Sequence, residues 1–309
     1  VCVIVPAHNE EKAIGTLLDH LIPQDLPGVT FVLSLDRCTD ATESIIRARA
    51  GADPRFEIIL VSECPAEWVG KVHAIHVAVS TAKLAQGADV LLFLDADTMP
   101  APSCIRAALS LLDRRNVALL SVLSTLTTEA WFEKVVQPAA GMELLRQYPV
   151  VRANSRENPR PFANGQFIMV RRGAYDAIGG HASVKSEVLE DVWLARQFSR
   201  NGHACGFIFS GHLLHCRMYD QWSKFRRGWL RIFGECASRK PGRLRRSAFQ
   251  VRLLGTILPM GAAACAVVGA WMKPSLIARA CRGRRSSTHP YPPMKIPVAP
   301  PACVRHRSS

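Results

Sequence analysis

Short apolar runs alternate with segments of helical spacing over residues 1–209. The run Cys2-Val3-Ile4-Val5 predicts a strand that ends at Pro6-Ala7-His8-Asn9-Glu10. Ile14, Leu17, Leu18, Leu21 and Ile22 then recur on one face of a helix expected to stop before Pro23. A second strand is predicted over 30–35. It gives way to Asp36-Arg37-Cys38-Thr39-Asp40, in which Thr39 or Asp40 can cap the following helix. A strand at 57–61, a helix at about 70–85 and a strand at 90–94 come next. A helix at about 103–112, a strand at 118–123 and a helix at 128–147 follow. Residues 149–161 hold Pro149, Asn154, Ser155, Asn158, Pro159 and Pro161 and read as loop. A strand at 165–171, a short helix closing at Gly179-Gly180, a helix from Leu189 to Gly202 and a strand at 205–209 complete the series.

Short strands separated by helices predict an α/β domain, with a mostly parallel sheet covered by helices on both faces. Such folds bind ligands at the carboxyl ends of their strands. Polar groups recur there: His8-Asn9-Glu10 after the first strand, Asp36 after the second, and Asp95-Ala96-Asp97 after the strand at 90–94. In the last case a buried strand runs straight into two carboxylates spaced i, i+2. The turn there lets both converge on one cation. Such a pair suits a divalent metal held against the diphosphate of a nucleotide-sugar. An acidic turn after a core strand is the plainer alternative, because D-x-D alone is common.

Beyond residue 216 the pattern changes. Trp222, Phe225, Trp229, Ile232, Phe233 and Cys236 share one helical face over 221–240, and Lys224, Arg226, Arg227, Arg231, Arg239 and Lys240 cover much of the remainder. Aromatics opposite cations predict an amphipathic helix at a membrane interface, extended by Arg243, Arg245, Arg246 and Arg252. A solvated helix docked on the domain is the alternative. Residues 253–272 carry no charge over 20 positions, a length that crosses a bilayer as a spanning helix or enters it as a re-entrant one. A buried core helix is the plainer reading. Residues 273–309 are rich in Arg, Pro and Ser and are expected to be disordered. The expected organisation is therefore a catalytic domain at 1–216, a basic interfacial segment at 217–252, a membrane helix at 253–272 and the tail.

Charge sharpens this division. Residues 1–216 hold 20 Lys and Arg against 23 Asp and Glu, whereas residues 217–309 hold 19 against 2. The back of the chain is thus suited to nucleic acid or to an anionic membrane surface. Ten cysteines show no C-x-x-C pair, which argues against a zinc site or a disulfide framework and fits a reducing cytosol. The chain opens at Val1 inside an apolar run with no signal-peptide pattern, so a preceding segment is expected.

Several motifs occur in one order: Val3-Ile4-Val5-Pro6-Ala7-His8-Asn9-Glu10, Asp36-Arg37-Cys38-Thr39-Asp40-Ala41-Thr42, Gly70-Lys71, Asp95-Ala96-Asp97, Gly165-Gln166 before Arg171-Arg172, and Glu190-Asp191. In this order the chain resembles a family 2 glycosyltransferase of GT-A fold over residues 1 to about 235. More narrowly it resembles the membrane-associated bacterial members related to hopanoid-associated and carotenoid glycosyltransferases. The resemblance implies that Pro6, Ala7 and Glu10 line the nucleoside pocket and that Asp36 accepts a hydrogen bond from the base. It implies that Lys71 contacts the donor, that Asp97 binds Mn2+ or Mg2+ directly, and that Asp95 reaches the ribose or a metal-bound water. Asp191 is implied as the base that takes the acceptor's proton, supported by Glu190; a capping acidic pair is the alternative. Gly165 and Gln166 fall on the acceptor side. Gln221 to Trp229 is only loosely similar to the Q-x-x-R-W motif of processive synthases, which leaves Arg226, Arg227 and Trp229 as candidates to cover the diphosphate. At the second-strand motif, Leu35 stands where the family often has a further Asp.

The expectation is an inverting, metal-dependent transferase. It moves a sugar from a nucleotide-sugar, UDP-linked by expectation, to a hydroxyl or carboxyl of a membrane lipid. Nucleotide-sugars are cytosolic, so the catalytic domain is expected on the cytoplasmic side of the cell membrane, with an anionic membrane surface as partner. A polysaccharide synthase with the same donor site is the nearest alternative. A nucleic-acid-binding protein or a non-catalytic membrane scaffold is the alternative from another class; neither accounts for the ordered acidic loops, and nucleic acid is not expected as a partner.

Overall fold

Alternate residues of the first strand face opposite ways, and both sides are buried. Val3 and Val5 enter one core with Leu17, Leu33 and Leu92, while Cys2 and Ile4 enter another with Val32, Ile75 and Phe93. A strand buried on both faces belongs inside a sheet covered by helices. The computed structural model, which describes residues 1–157, 159–219, 221–236 and 240–268, has that architecture.

The chain opens with β1 (Cys2–Ala7), α1 (Ile14–Leu21), β2 (Thr30–Asp36), α2 (Thr42–Ala50) and β3 (Phe56–Val61). Next come α3 (Gly70–Thr81), α4 (Lys83–Gln86), β4 (Val90–Leu94), β5 (Thr98–Pro100) and α5 (Cys104–Arg114). β6 (Leu119–Leu123), β7 (Thr125–Leu126), α6 (Trp131–Gln147), α7 (Val150–Ala153), β8 (Phe167–Arg171) and α8 (Arg172–Ala177) follow. α9 (Glu190–Arg200), β9 (Cys205–Phe209), β10 (Leu214–Cys216), α10 (Trp222–Cys236) and α11 (Pro241–Arg252) end the series. The central sheet has the order β3-β2-β1-β4-β8-β6-β9. Its pairs are parallel except where β8 runs antiparallel between β4 and β6. The carboxyl ends of β1, β2, β4 and β6 and the amino end of β8 therefore share one edge.

The predicted strands are found, with local differences. A second sheet of order β5-β10-β7 was not foreseen, because strands of two or three residues carry no periodicity to read. The helix expected at 70–85 is split at Ala82, whose ψ of 128° is extended. A short helix, α7, lies within the stretch read as loop. Neither proposed residue is the cap of α2, which is Ala41; Asp40, just before it, accepts at Oδ1 from the Thr42 N–H at 3.0 Å and the Thr42 hydroxyl at 2.6 Å.

The aromatic face of α10 differs from expectation. Phe225 and Trp229 are buried and pack with Phe132 of α6, with Ala140, Leu144, Ile232 and Phe233 around them. The face predicted to enter a membrane is occupied by α6, so the alternative of a docked helix describes it. The chain divides into two compact units, Val1–Arg245 and Arg246–Ser309. In the second, helix continues through a π-helical turn at Leu253–Ile257 to Val268. The helix Leu244–Val268 spans 25 residues at a mean hydropathy of 1.8, long and apolar enough to cross a membrane. The end of the expected membrane segment, 269–272, and the expected disordered tail, 273–309, lie outside the described residues, as does Arg239.

Candidate active site

The shared sheet edge gathers the predicted donor residues. Pro6, Ala7, Glu10, Asp36, Lys71, Asp95 and Asp97 all line one cavity of about 270 Å³, with Arg231 opposite. Each comes from the end of a strand or the turn after it, except Lys71, which sits in the first turn of α3. Gly70 explains how α3 comes so close: a Cβ there would stand 2.7 Å from Asp36 Oδ2. A wider cavity of about 890 Å³ adjoins and shares Glu10, Ala96 and Asp97.

The Asp95-Ala96-Asp97 turn is fixed from both sheets. The Asp95 N–H donates to the Gln166 carbonyl at 3.3 Å, continuing the β4–β8 ladder. The Thr98 hydroxyl and N–H donate back to the Asp95 carbonyl at 2.7 and 3.3 Å. The Arg217 N–H, just past β10, donates to the Asp97 carbonyl at 3.1 Å. The carboxylates are held where charge is unfavourable. Burial, then the charges of Asp95 and Glu10, push the Asp97 carboxyl up to about 7. Its Oδ1 is buried with no hydrogen-bond partner. Glu10 is raised by burial and by Asp95.

Lys71 joins the two ends of the site. Its Nζ lies 2.7 Å from Asp95 Oδ1 and 2.9 Å from Glu190 Oε1. Burial pulls the ammonium down, but these carboxylates outweigh it and hold the lysine well above its usual value. Asp36 is buried and taken by its neighbour: Arg37 Nε and Nη2 donate to its two oxygens at 2.7 and 2.8 Å.

Glu190 and Asp191 open α9, where the helix dipole favours negative charge. They face different ways. Glu190 meets Lys71, whereas Asp191 Oδ2 accepts from the Gly165 N–H at 2.8 Å and Oδ1 from the Val192 N–H at 2.7 Å. Burial and the adjacent Glu190 push the Asp191 carboxyl up to about 7. Gly165 sits at the junction: a Cβ there would lie 3.0 Å from Lys71 Nζ and 3.4 Å from Asp191 Oδ2. Asp191 lines a second cavity, of about 160 Å³, walled mainly by Leu123, Leu144, Phe162, Val192, Trp229 and Ile232.

The remaining candidates separate. Gln166 is buried, and its side chain is held inside the protein. Its Oε1 accepts from Ser124 at 2.5 Å and Asn164 at 3.0 Å, and its Nε2 donates to Cys216 Sγ at 3.0 Å. It lines the apolar cavity and holds Asp95 through its carbonyl. Trp229 lines the same cavity from its aromatic cluster. Arg226 and Arg227 are exposed on α10 and line none of these three cavities. The cations that α10 brings to the donor side are Lys224 and Arg231. They are spaced i, i+7, two turns apart on one face, a signal the sequence did carry. The link from Lys71 to Glu190 and the support from Cys216 had no such signal, because they join segments far apart in the chain.

Residues 2–179 match glycosyl transferase family 2. Among curated proteins the chain is similar to a 4,4'-diaponeurosporenoate glycosyltransferase of Staphylococcus aureus (strain MRSA252). The two are 25% identical over 235 residues, covering 74% of this chain and 59% of that protein. The chain thus spans about three-fifths of the length of the curated relatives it matches. Among solved structures it is similar to the mannosyltransferase PcManGT from Pyrobaculum calidifontis in complex with GDP-Man and Mn2+. The TM-score is 0.57 at 19% identity, over 91% of this chain and 86% of the other. It is also similar to residues 1–349 of TarS from S. aureus in complex with UDP-GlcNAc, with a TM-score of 0.52 at 18% identity over 72% and 60% of the two chains. At these identities the likeness establishes a shared fold, of GT-A type.

Proposed function

The chain belongs to glycosyl transferase family 2, and we propose that it moves a sugar, with inversion, from a nucleotide-sugar to a hydroxyl or carboxyl of a membrane lipid. The observation that carries this reading is that two unlike cavities are linked through Glu190-Asp191: Lys71, which lines the first, pairs with Glu190 at 2.9 Å, and Asp191 lines the second. One holds carboxylates, Lys71 and Arg231; the other is walled by aliphatic and aromatic side chains and closes on Asp191. A polar, charged donor and an apolar acceptor need such a pair. The carotenoid acid in the name of the S. aureus relative is an apolar acceptor of this class. A UDP-sugar is the first donor to test. The helix Leu244–Val268 supports a place at the cell membrane, with the site on the cytoplasmic side, where nucleotide-sugars are made.

The donor-side carboxylates fit a hard divalent cation. Asp97 Oδ1 is an orphaned buried acceptor, and Asp95 stands i, i−2 to it. Among the described residues no group of three or more His, Cys, Asp or Glu gathers into a ready cage. Asp95 and Asp97 would therefore share a Mn2+ or Mg2+ with water and the donor's own phosphates, a mode typical of Mg2+. Bound there, the metal supplies positive charge against the departing diphosphate. Lys71 and Arg231 add fixed positive charge on the same side. Asp191 takes the proton of an acceptor hydroxyl as that oxygen bonds to the anomeric carbon. The carbon–oxygen bond to the phosphate breaks, and its electron pair leaves with the nucleoside diphosphate.

The test is release of free nucleotide by membranes holding the full chain, across a panel of nucleotide-sugars, with Mn2+, Mg2+ or chelator and with or without a lipid extract. Metal-dependent, lipid-stimulated release is expected for at least one donor. No release with any donor, or undiminished release by Asp97→Ala, overturns the reading.

A further inference from the structure

α6 packs on α10 through Phe132, Val136, Ala140 and Leu144, yet it also leaves a second set of apolar residues outward. Its buried positions include Glu133, Gln137 and Glu143, while Trp131, Val135 and Met142 are 60%, 70% and 71% exposed. The buried polar groups are satisfied. Glu133 accepts from the Thr127 hydroxyl at 2.9 Å and from the Glu129 and Ala130 N–H groups at 2.7 and 2.8 Å. Gln137 donates to the Thr127 carbonyl at 3.0 Å. Glu143 accepts from Arg146 at 2.7 Å and Gln147 at 2.9 Å. The inward polar groups thus have their partners, whereas the exposed Val135 and Met142 gain nothing from these contacts.

Trp131, Val135 and Met142 stand at i, i+4 and i+11, one stripe of the helix. The stripe continues onto α10. The Trp131 ring lies 5.1 Å from that of Trp222, itself 41% exposed. Leu230, two turns beyond Trp222, is also exposed. Single exposed apolar residues are ordinary; a contiguous stripe that includes two tryptophans marks an interaction surface. Its surroundings are basic. Lys134, Arg226 and Arg227 are exposed on the same two helices. The nearby acid, Glu129, pairs with Arg217 at 2.9 Å.

We propose that the outer face of α6, extended by Trp222 and Leu230, is the surface by which this unit lies on a membrane of anionic lipid. Indoles favour the headgroup layer, aliphatic side chains leave water just beneath it, and lysine and arginine meet lipid phosphates. An apolar stripe alone would suit a protein partner equally well; the excess of positive charge favours lipid. The surface overlaps the one the sequence indicated only at Trp222, since Phe225 and Trp229 of that aromatic face are already covered. The inference deepens the reading of a membrane-borne acceptor and rests on it for its partner. Its test reads the depth of a side chain rather than turnover, so the two can fail separately.

The full chain is reconstituted into bilayers containing phosphatidylglycerol with brominated acyl chains, and quenching of tryptophan emission is compared with unbrominated bilayers. Trp131→Phe is expected to lose part of the quenching, and Trp68→Phe, which removes an indole stacked on His76, to lose none. The Trp131 component should fall when phosphatidylcholine replaces the anionic lipid. Equal quenching in wild type and Trp131→Phe overturns the proposal. So does a dimer in light scattering that Val135→Asp with Met142→Asp dissolves, because the face would then be a contact between copies of the chain.

Discussion

In the proposed site, the donor side and the acceptor side are built by different means. The donor cavity takes its polar groups from the ends of adjacent parallel strands, at places fixed by β-ladder geometry. The acceptor cavity takes its walls from β6, α6, α9, α10 and the loop residue Phe162. It has no motif, only a shape. A diphosphate is recognised by a few charges at fixed points, while an apolar chain is recognised by area. The two halves touch through Lys71, Gly165 and the Glu190-Asp191 pair, so substitutions can be chosen that affect one side, the junction or the other.

The largest effect belongs to the donor side. Asp97→Ala should lower kcat/KM on the order of 10³-fold to 10⁴-fold, the loss expected when charge stabilisation of the leaving group is removed. Steady-state transfer at saturating metal checks it. A variant that keeps wild-type turnover would place the metal elsewhere.

Asp191→Asn follows, on the acceptor side. Loss of a general base should lower kcat about 10²-fold to 10³-fold with a hydroxyl acceptor. An acceptor carboxylate carries no proton to remove, so it would escape this loss and identify itself. The pH profile sharpens the assignment. With its carboxyl at about 7, Asp191 is an active base only above that pH, and kcat should fall roughly tenfold per unit below it. Stability should respond in the opposite direction. The folded state holds this proton more tightly than the unfolded chain, so the group's contribution to stability diminishes as pH rises through about 7. Asp191→Asn should remove both dependences, which thermal melts and rate profiles over the same pH range would show.

This contrast also explains what could be read from the sequence. The strands and the acidic turns after them were legible, because largely apolar runs ending in Asp95 or Asp36 carry their own signal. The donor residues then converge through sheet topology alone. Of the apolar cavity the sequence offered only Gln166, Asp191 and Trp229. Its walls depend on α6 meeting α10, a contact between segments about 90 residues apart, for which periodicity gives no partner. The same contact reversed the reading of α10: its aromatic face was visible, but not what covers it. Arg226 and Arg227 were favoured over Lys224 and Arg231 by a motif, whereas helix rotation decides which cations reach the cavity.

The junction should respond less than either carboxylate. Gly165→Ala puts a methyl 3.0 Å from Lys71 Nζ and 3.4 Å from Asp191 Oδ2. The lysine end can yield by a few tenths of an ångström, so the protein should fold. The contact with Asp191 is ordinary, so it is Lys71 that moves; its displacement, passed to Asp191 through Glu190, should cost about tenfold in kcat. An unchanged kcat would mean that the positions of Lys71 and Asp191 tolerate displacement, and that the two halves work more independently than their contacts imply.

The smallest effect tests the acceptor wall itself. Ile232 lines the apolar cavity from α10 and packs beside Phe225 and Trp229. Ile232→Val removes one methylene-sized contact, worth about 0.8 kcal/mol, or roughly fourfold in affinity for an apolar ligand. The fold should lose only about 0.5–1.5 kcal/mol. The KM for lipid acceptor should therefore rise about fourfold, while donor KM and acceptor-independent release of nucleotide stay at wild-type values. Of the donor cavity's lining only Arg231, the residue just before Ile232 in α10, adjoins this change, so an altered donor KM would mean that α10 sets both halves through it. An unchanged acceptor KM would show that the lipid binds outside this cavity, and the division of the site into a polar and an apolar half would fail at its weaker side.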